Sequence, residues 1–178
     1  MRLATVLGAA LVAIALPLSA TAATPCKTAQ QLKLRWEDGK GQVYFSASGC
    51  ALPSACPGTA GTLIAKMPLH VIVRAGGATL FKGDVNTCDD PHRCIARNAG
   101  GCKGGDNIRS SDALVKLTYL DKGSSSVMAR VRGSMDRPAE TEGPVTAEFT
   151  DSSSYSAQAT YAKCRSKTNG STVTIVCQ

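Results

Sequence analysis

The amino-acid sequence predicts an all-β fold: an antiparallel β-sandwich stabilised by disulfides and interrupted by one long cysteine-rich loop. Three observations predict it. Short runs of alternating apolar and polar residues recur along the chain, separated by Gly-, Asn-, Asp- and Ser-rich clusters at hairpin spacing. Helical periodicity is almost absent. Eight cysteines (Cys26, Cys50, Cys56, Cys88, Cys94, Cys102, Cys164 and Cys177) all follow a segment built like a secretory leader, and an even count of exported cysteines reads most simply as four disulfides. A closed barrel is the runner-up architecture, but the long interruption favours the sandwich.

The leader has three parts. Met1-Arg2 gives a basic start, Leu3 to Leu18 a short apolar run, and Ala20 and Ala22 the small residues of a cleavage site. The run is shorter than the roughly 20 apolar residues that span a bilayer, and no second run of that length follows. Residues 1–22 are therefore expected to be removed. Residues 23–178 form a single secreted domain, extracellular or periplasmic, expected to be monomeric and without a membrane span. Its core is mainly aliphatic, since the chain holds one Trp, four Tyr and three Phe. Disulfides worth about 2–4 kcal/mol each supplement that core.

Five hairpins follow from the pattern. Leu32–Trp36 and Val43–Phe45 flank Asp38-Gly39, a two-residue turn that sets Leu34 against Val43 and Leu32 against Phe45, with Lys33 and Arg35 on the other face. The second turns at Gly76-Gly77 and pairs Val73 with Leu80 and Ile72 with Phe81; apolar residues on both faces suit strands covered on each side. The third turns through Lys122-Gly123-Ser124, setting Tyr119 against Val127, Leu117 against Ala129, and Lys116 beside Arg130. The fourth turns around Asp151-Ser152-Ser153, setting Phe149 against Tyr155 and Ala147 against Ala157. The last turns at Asn169-Gly170-Ser171-Thr172, and a four-residue loop there sets Cys164 opposite Cys177 as a disulfide. Asn169-Gly170-Ser171 is also a glycosylation sequon, although Asn-Gly is a favoured turn in its own right.

The stretch from Asp84 to Asp112 is the long loop, and loops of this length are usually functional or covalently tied down. Its Cys88, Cys94 and Cys102 with His92 could hold zinc, but the spacing lacks a C-x-x-C pair and exported thiols oxidise, which favours disulfides. Asp84, Asn86, Asp89, Asp90, Asp106 and Asn107 offer oxygen ligands for calcium. They lack EF-hand spacing, and such residues are also ordinary turn formers. No metal or cofactor is expected. For catalysis, His92 with Asp89 and Asp90 is the weak candidate; His70 opens an apolar strand and reads as structural. No G-x-S-x-G or H-E-x-x-H element accompanies His92.

The formal net charge is +7, with 20 basic and 13 acidic residues. Such a balance favours anionic partners, though it also simply keeps an exported protein soluble. Arg93, Arg97, Lys103 and Arg109 bring cations to the loop. Arg130 with Arg132, and Lys163 with Arg165 and Lys167, alternate on strands, so each set shares a face. If the two faces adjoin, a five-charge stripe results. Otherwise these are solvated charges that discourage edge pairing.

Three functions are compatible with these residues. The first is a secreted binding module presenting the tethered loop to an extracellular protein or an anionic glycan or polymer; nucleic acid is not expected. The second is a small hydrolase using His92 and nearby acids. The third is an inhibitor or effector that inserts the loop into another protein's cleft.

Overall fold

The computed structural model describes residues 23–51, 67–86, 95–98, 104–120, 124–152 and 155–178. Twelve strands occupy them: β1 Thr28–Glu37, β2 Lys40–Ala51, β3 Leu69–Ala75, β4 Ala78–Val85, β5 Ile95–Asn98, β6 Gly104–Arg109, β7 Ala113–Leu120, β8 Ser124–Ser134, β9 Val145–Thr150, β10 Ser156–Tyr161, β11 Cys164–Asn169 and β12 Thr172–Cys177. They form two open antiparallel sheets rather than a closed barrel. The larger has eight strands in the order β11-β12-β1-β2-β8-β7-β6-β5, and the smaller has four in the order β10-β9-β3-β4. Among the described residues no helix is long and apolar enough to cross a membrane.

Strict alternation builds the core. Leu32 and Leu34, Val43, Phe45 and Ala47, Val127, Ala129 and Val131, and Val115 and Leu117 all point inward from the large sheet. Val71, Val73, Phe81, Ala147, Phe149, Ala159 and Tyr161 meet them from the small one. Burying one such side chain is worth about 1.5–3 kcal/mol, and a one-residue slip would turn a whole row to solvent.

Among the described residues, three links fasten the sheets. The Tyr161 hydroxyl donates to Ser46 O at 2.8 Å, and Ser125 Oγ lies 2.9 Å from Tyr155 Oη. The third is covalent. Thr24–Cys26 runs beside β10, with Cys26 N donating to Gln158 O at 2.7 Å and Gln158 N to Thr24 O at 2.9 Å, before the chain enters β1 of the other sheet. A Cys26–Cys50 disulfide holds it there. The expected Cys164–Cys177 disulfide joins paired positions of β11 and β12. Cys56, Cys88, Cys94 and Cys102 lie outside the described residues.

Two hairpins keep the expected register. Leu34 faces Val43 and Leu32 faces Phe45 across a turn in which Asp38 and Gly39 have φ of 47° and 77°. Cys164 faces Cys177, with the ladder continuing to Asn169 and Thr172. The other three differ. A bulge between Val73 and Arg74 moves Val73 opposite Phe81 and Ile72 opposite Lys82. Leu117 pairs with Val127 and Leu114 with Arg130, two residues from the expected register, so Lys116 meets Met128 instead of a like charge. Phe149 pairs with Ala157, because Asp151 Oδ1 accepts the Tyr155 N–H at 2.9 Å and so closes a longer loop. Tyr155 then packs edge-on against Phe149 with ring centroids 5.7 Å apart. The Asp84–Asp112 stretch is not the uninterrupted loop expected: Asp84 lies within β4, and β5 and β6 extend the large sheet.

Burial gives the two phenols a common signature. Burial pushes the Tyr155 hydroxyl up to about 12, opposed by its hydrogen bond to Ser125 and reinforced by the nearby charges of Asp151 and Asp106. Tyr161 is raised too, again chiefly by burial, with the Ser46 hydrogen bond opposing. Above pH about 10 an unfolded tyrosine loses its proton while these stay protonated. The contribution of these phenols to stability is then constant below pH about 10 and falls as pH rises from about 10 towards 12, by up to ~1.4 kcal/mol per pH unit per phenol. Urea midpoints measured from pH 8 to 11 should bend downward above 10, and the bend should weaken in Tyr155→Phe. A flat curve would contradict this burial.

Candidate functional site

The sequence offers β1 the alternation Lys33, Arg35, Glu37 opposite a buried Leu32 and Leu34. It offers β8 Arg130 and Arg132 opposite a buried Ala129 and Val131, and β11 Arg165 and Lys167 opposite a buried Cys164. Since β-strands project successive side chains to opposite faces, all these cations emerge from the outer face of the large sheet. Every one of them is exposed, as are Arg109 of β6, Lys116 of β7 and Lys163 just before β11.

Register brings them into rows across the strands. In one, Arg109 of β6 lies opposite Leu114, which lies opposite Arg130 of β8. Arg130 faces Tyr44, Tyr44 faces Lys33 of β1, and Lys33 faces Val176, beyond which stands Arg165 of β11. A parallel row runs Arg132, Gln42, Arg35, Thr174, Lys167. In both, the cations occupy alternate strands, about 9.6 Å apart at two strand spacings. That interval is close to the Debye length of about 10 Å at 0.1 M salt, so their potentials add at lower ionic strength.

Acid is scarce there. Among the described residues of these strands, Glu37 is the acidic side chain on the outer face, and it is held 2.7 Å from Arg35. At one end the second row meets an open depression of about 780 Å³ lined by Arg35, Lys40 and Arg132 but also by Glu37, Asp38 and Asp112. Three acids against three cations leave that depression without preference for an anion. The small sheet's outer face is neutralised in the same way: His70 Nδ1 lies 2.8 Å from Asp84 Oδ1, and Arg74 Nη1 lies 2.6 Å from Glu148 Oε2.

The two cation sets recognisable in sequence therefore share a face but do not adjoin. Three strands (β2, β1 and β12) separate β8 from β11, and Lys33 and Arg35 stand between. Lys33, Arg35 and Lys116 were not among the binding candidates. Their alternation with apolar residues was the available signal, but only the sheet order aligns them with the others. Arg97 belongs to β5, opposite Gly105. His92, Asp89, Asp90, Arg93 and Lys103 lie outside the described residues.

Asp89 and Asp90 lie outside the described residues, and the structure does not bring Asp84, Asp106 and Asn107 together. Asp84 pairs with His70 on the outer face of the small sheet, whereas Asp106 is buried on the inner face of the large one and Asn107 points the opposite way on the same strand. Among the described residues no group of three His, Cys, Asp or Glu could hold a metal ion. In comparisons with known proteins, no family model, curated protein or solved structure matches the chain.

Proposed function

We propose that the protein is an exported binding module that docks anionic polymers on the outer face of its eight-stranded sheet. The observation that carries this reading is the outer face itself: cations on β6, β8, β1 and β11 in register, where among the described strand residues the acidic side chain is Glu37, already paired with Arg35. A hydrogen-bonded sheet holds them at fixed intervals, which limits the ordering cost of binding. The Met1–Ala22 leader delivers the chain to an oxidising compartment, and the disulfides suit it. There the partners of opposite charge are acidic glycans, cell-envelope polymers and acidic protein surfaces. Arg109, the last residue of β6, brings the Asp84–Asp112 stretch to the same surface.

The test is retention of the exported protein on immobilised heparin and on inorganic polyphosphate. At about 10 mM salt the Debye length is about 30 Å, and at 1 M it is about 3 Å. Both matrices should hold the protein at the lower value and release it well before the higher one. Flow-through at about 10 mM salt on both would remove the proposal.

A further inference from the structure

The row from Arg109 to Arg165 does more than collect charge. Its cations sit on β6, β8, β1 and β11, and every strand between them carries an apolar side chain at the same level: Leu114 on β7, Tyr44 on β2 and Val176 on β12. These three are half-buried, so the face alternates between a cation standing out and an apolar step lying lower. The step is one strand spacing, about 4.8 Å. From this alternation we infer that the face selects an acidic polysaccharide charged on every second sugar, laid across the strands. The inference rests on the polyanion reading and narrows it.

A sugar ring is about as long as a strand spacing, so a chain charged at alternate rings repeats at the interval of the cations. The uncharged ring between presents a C–H face, which suits an apolar side chain that an all-charged polymer would leave uncovered. The neighbouring row places Gln42 and Thr174 between its cations, side chains that hydrogen-bond to sugar hydroxyls. Nucleic acid fits less well. Each strand of a duplex places a phosphate every 3.4 Å or so of helix axis, and sequence-independent binding of its bases uses several aromatic platforms. Among the described residues of this outer face, Tyr44 is the aromatic one.

The row spans six strand spacings, about 29 Å, and its seven positions leave room for about seven sugars. Hyaluronate oligosaccharides, with one carboxylate per disaccharide, are the probe, and inorganic polyphosphate is the control. Wild-type affinity for hyaluronate should climb steeply from the tetrasaccharide to the hexasaccharide or octasaccharide and then level off. In Tyr44→Thr/Leu114→Thr, octasaccharide affinity should fall about tenfold, polyphosphate affinity should stay within about twofold, and Tyr44→Phe should bind as wild type.

If polyphosphate binds but hyaluronate does not, or if the double variant leaves hyaluronate unchanged, the alternating-glycan inference is overturned and the polyanion reading stands. An equal loss for both polymers overturns it as well. If neither polymer binds the wild type and heparin does not retain it either, both readings fall. Should the double variant not fold, the length series on the wild type decides alone: affinity that grows evenly with length, with no plateau, overturns the inference.

Discussion

Lys33→Glu/Arg130→Glu/Arg165→Glu should lose at least 100-fold in affinity for heparin at low salt while remaining folded. The three cations stand in one row on β1, β8 and β11, all exposed. Each attracts an anion at contact by on the order of 1 kcal/mol in water, and reversal replaces that attraction with repulsion of similar size. Three reversals therefore remove several kcal/mol, against about 1.4 kcal/mol for each factor of ten. Exposed substitutions of this kind usually change stability by no more than about 0.5 kcal/mol each. The control is position, because net charge alone also weakens attraction to a polyanion. Lys82→Glu changes the charge by as much as Lys33→Glu, but on the outer face of the small sheet. Affinity measured by salt titration should drop for Lys33→Glu and stay nearly constant for Lys82→Glu. Equal losses would mean that net charge, not this face, is what the polymer meets.

The second large effect concerns stability. Cys26→Ala/Cys50→Ala should cost about 3.5 kcal/mol from the unfolded-chain entropy of a loop closed over 24 residues. Removing Cys164–Cys177, closed over 13 residues, should cost about 3 kcal/mol on the same basis. The first pair has a further consequence that the second lacks. Cys26 ends the segment lying beside β10, so losing the bond frees Thr24–Cys26 from that edge as well as releasing the start of β1. Denaturant midpoints of the two variants should both fall, and amide exchange at Gln158 should quicken only in the Cys26/Cys50 variant. A cost below about 1 kcal/mol for that variant would show that the strands hold the N-terminal segment without it.

Legibility in the sequence followed the reach of each interaction. The first and last hairpins were readable because short turns fix their register: Asp38 and Gly39 both take positive φ, and Gly170 does so at 58°. The hairpins β7–β8 and β9–β10 were found with the correct faces but displaced by two residues. Alternation cannot detect that error, because a shift of two buries the same side chains. What decides it is particular: the Asp151 side chain on the Tyr155 amide in one case, and relief of a Lys116–Arg130 contact in the other. The bulge in β3–β4 left no mark in the pattern. Lys33 and Arg35 could be assigned outward from β1 alone, but their neighbours could not. That β12 lies between β1 and β11, and β2 between β1 and β8, is non-local, so the candidate face emerged only with the sheet order.

The alternate-strand placement also has a consequence for folding. Like charges on directly paired strands would stand only about 5 Å apart and oppose assembly of the sheet. Here Gln42, Tyr44, Thr174 and Val176 act as uncharged spacers, so each hydrogen-bonded ladder closes without a cation facing a cation. The sheet can thus carry a strongly positive surface through its own assembly with little self-repulsion, leaving that field to act on whatever approaches from outside.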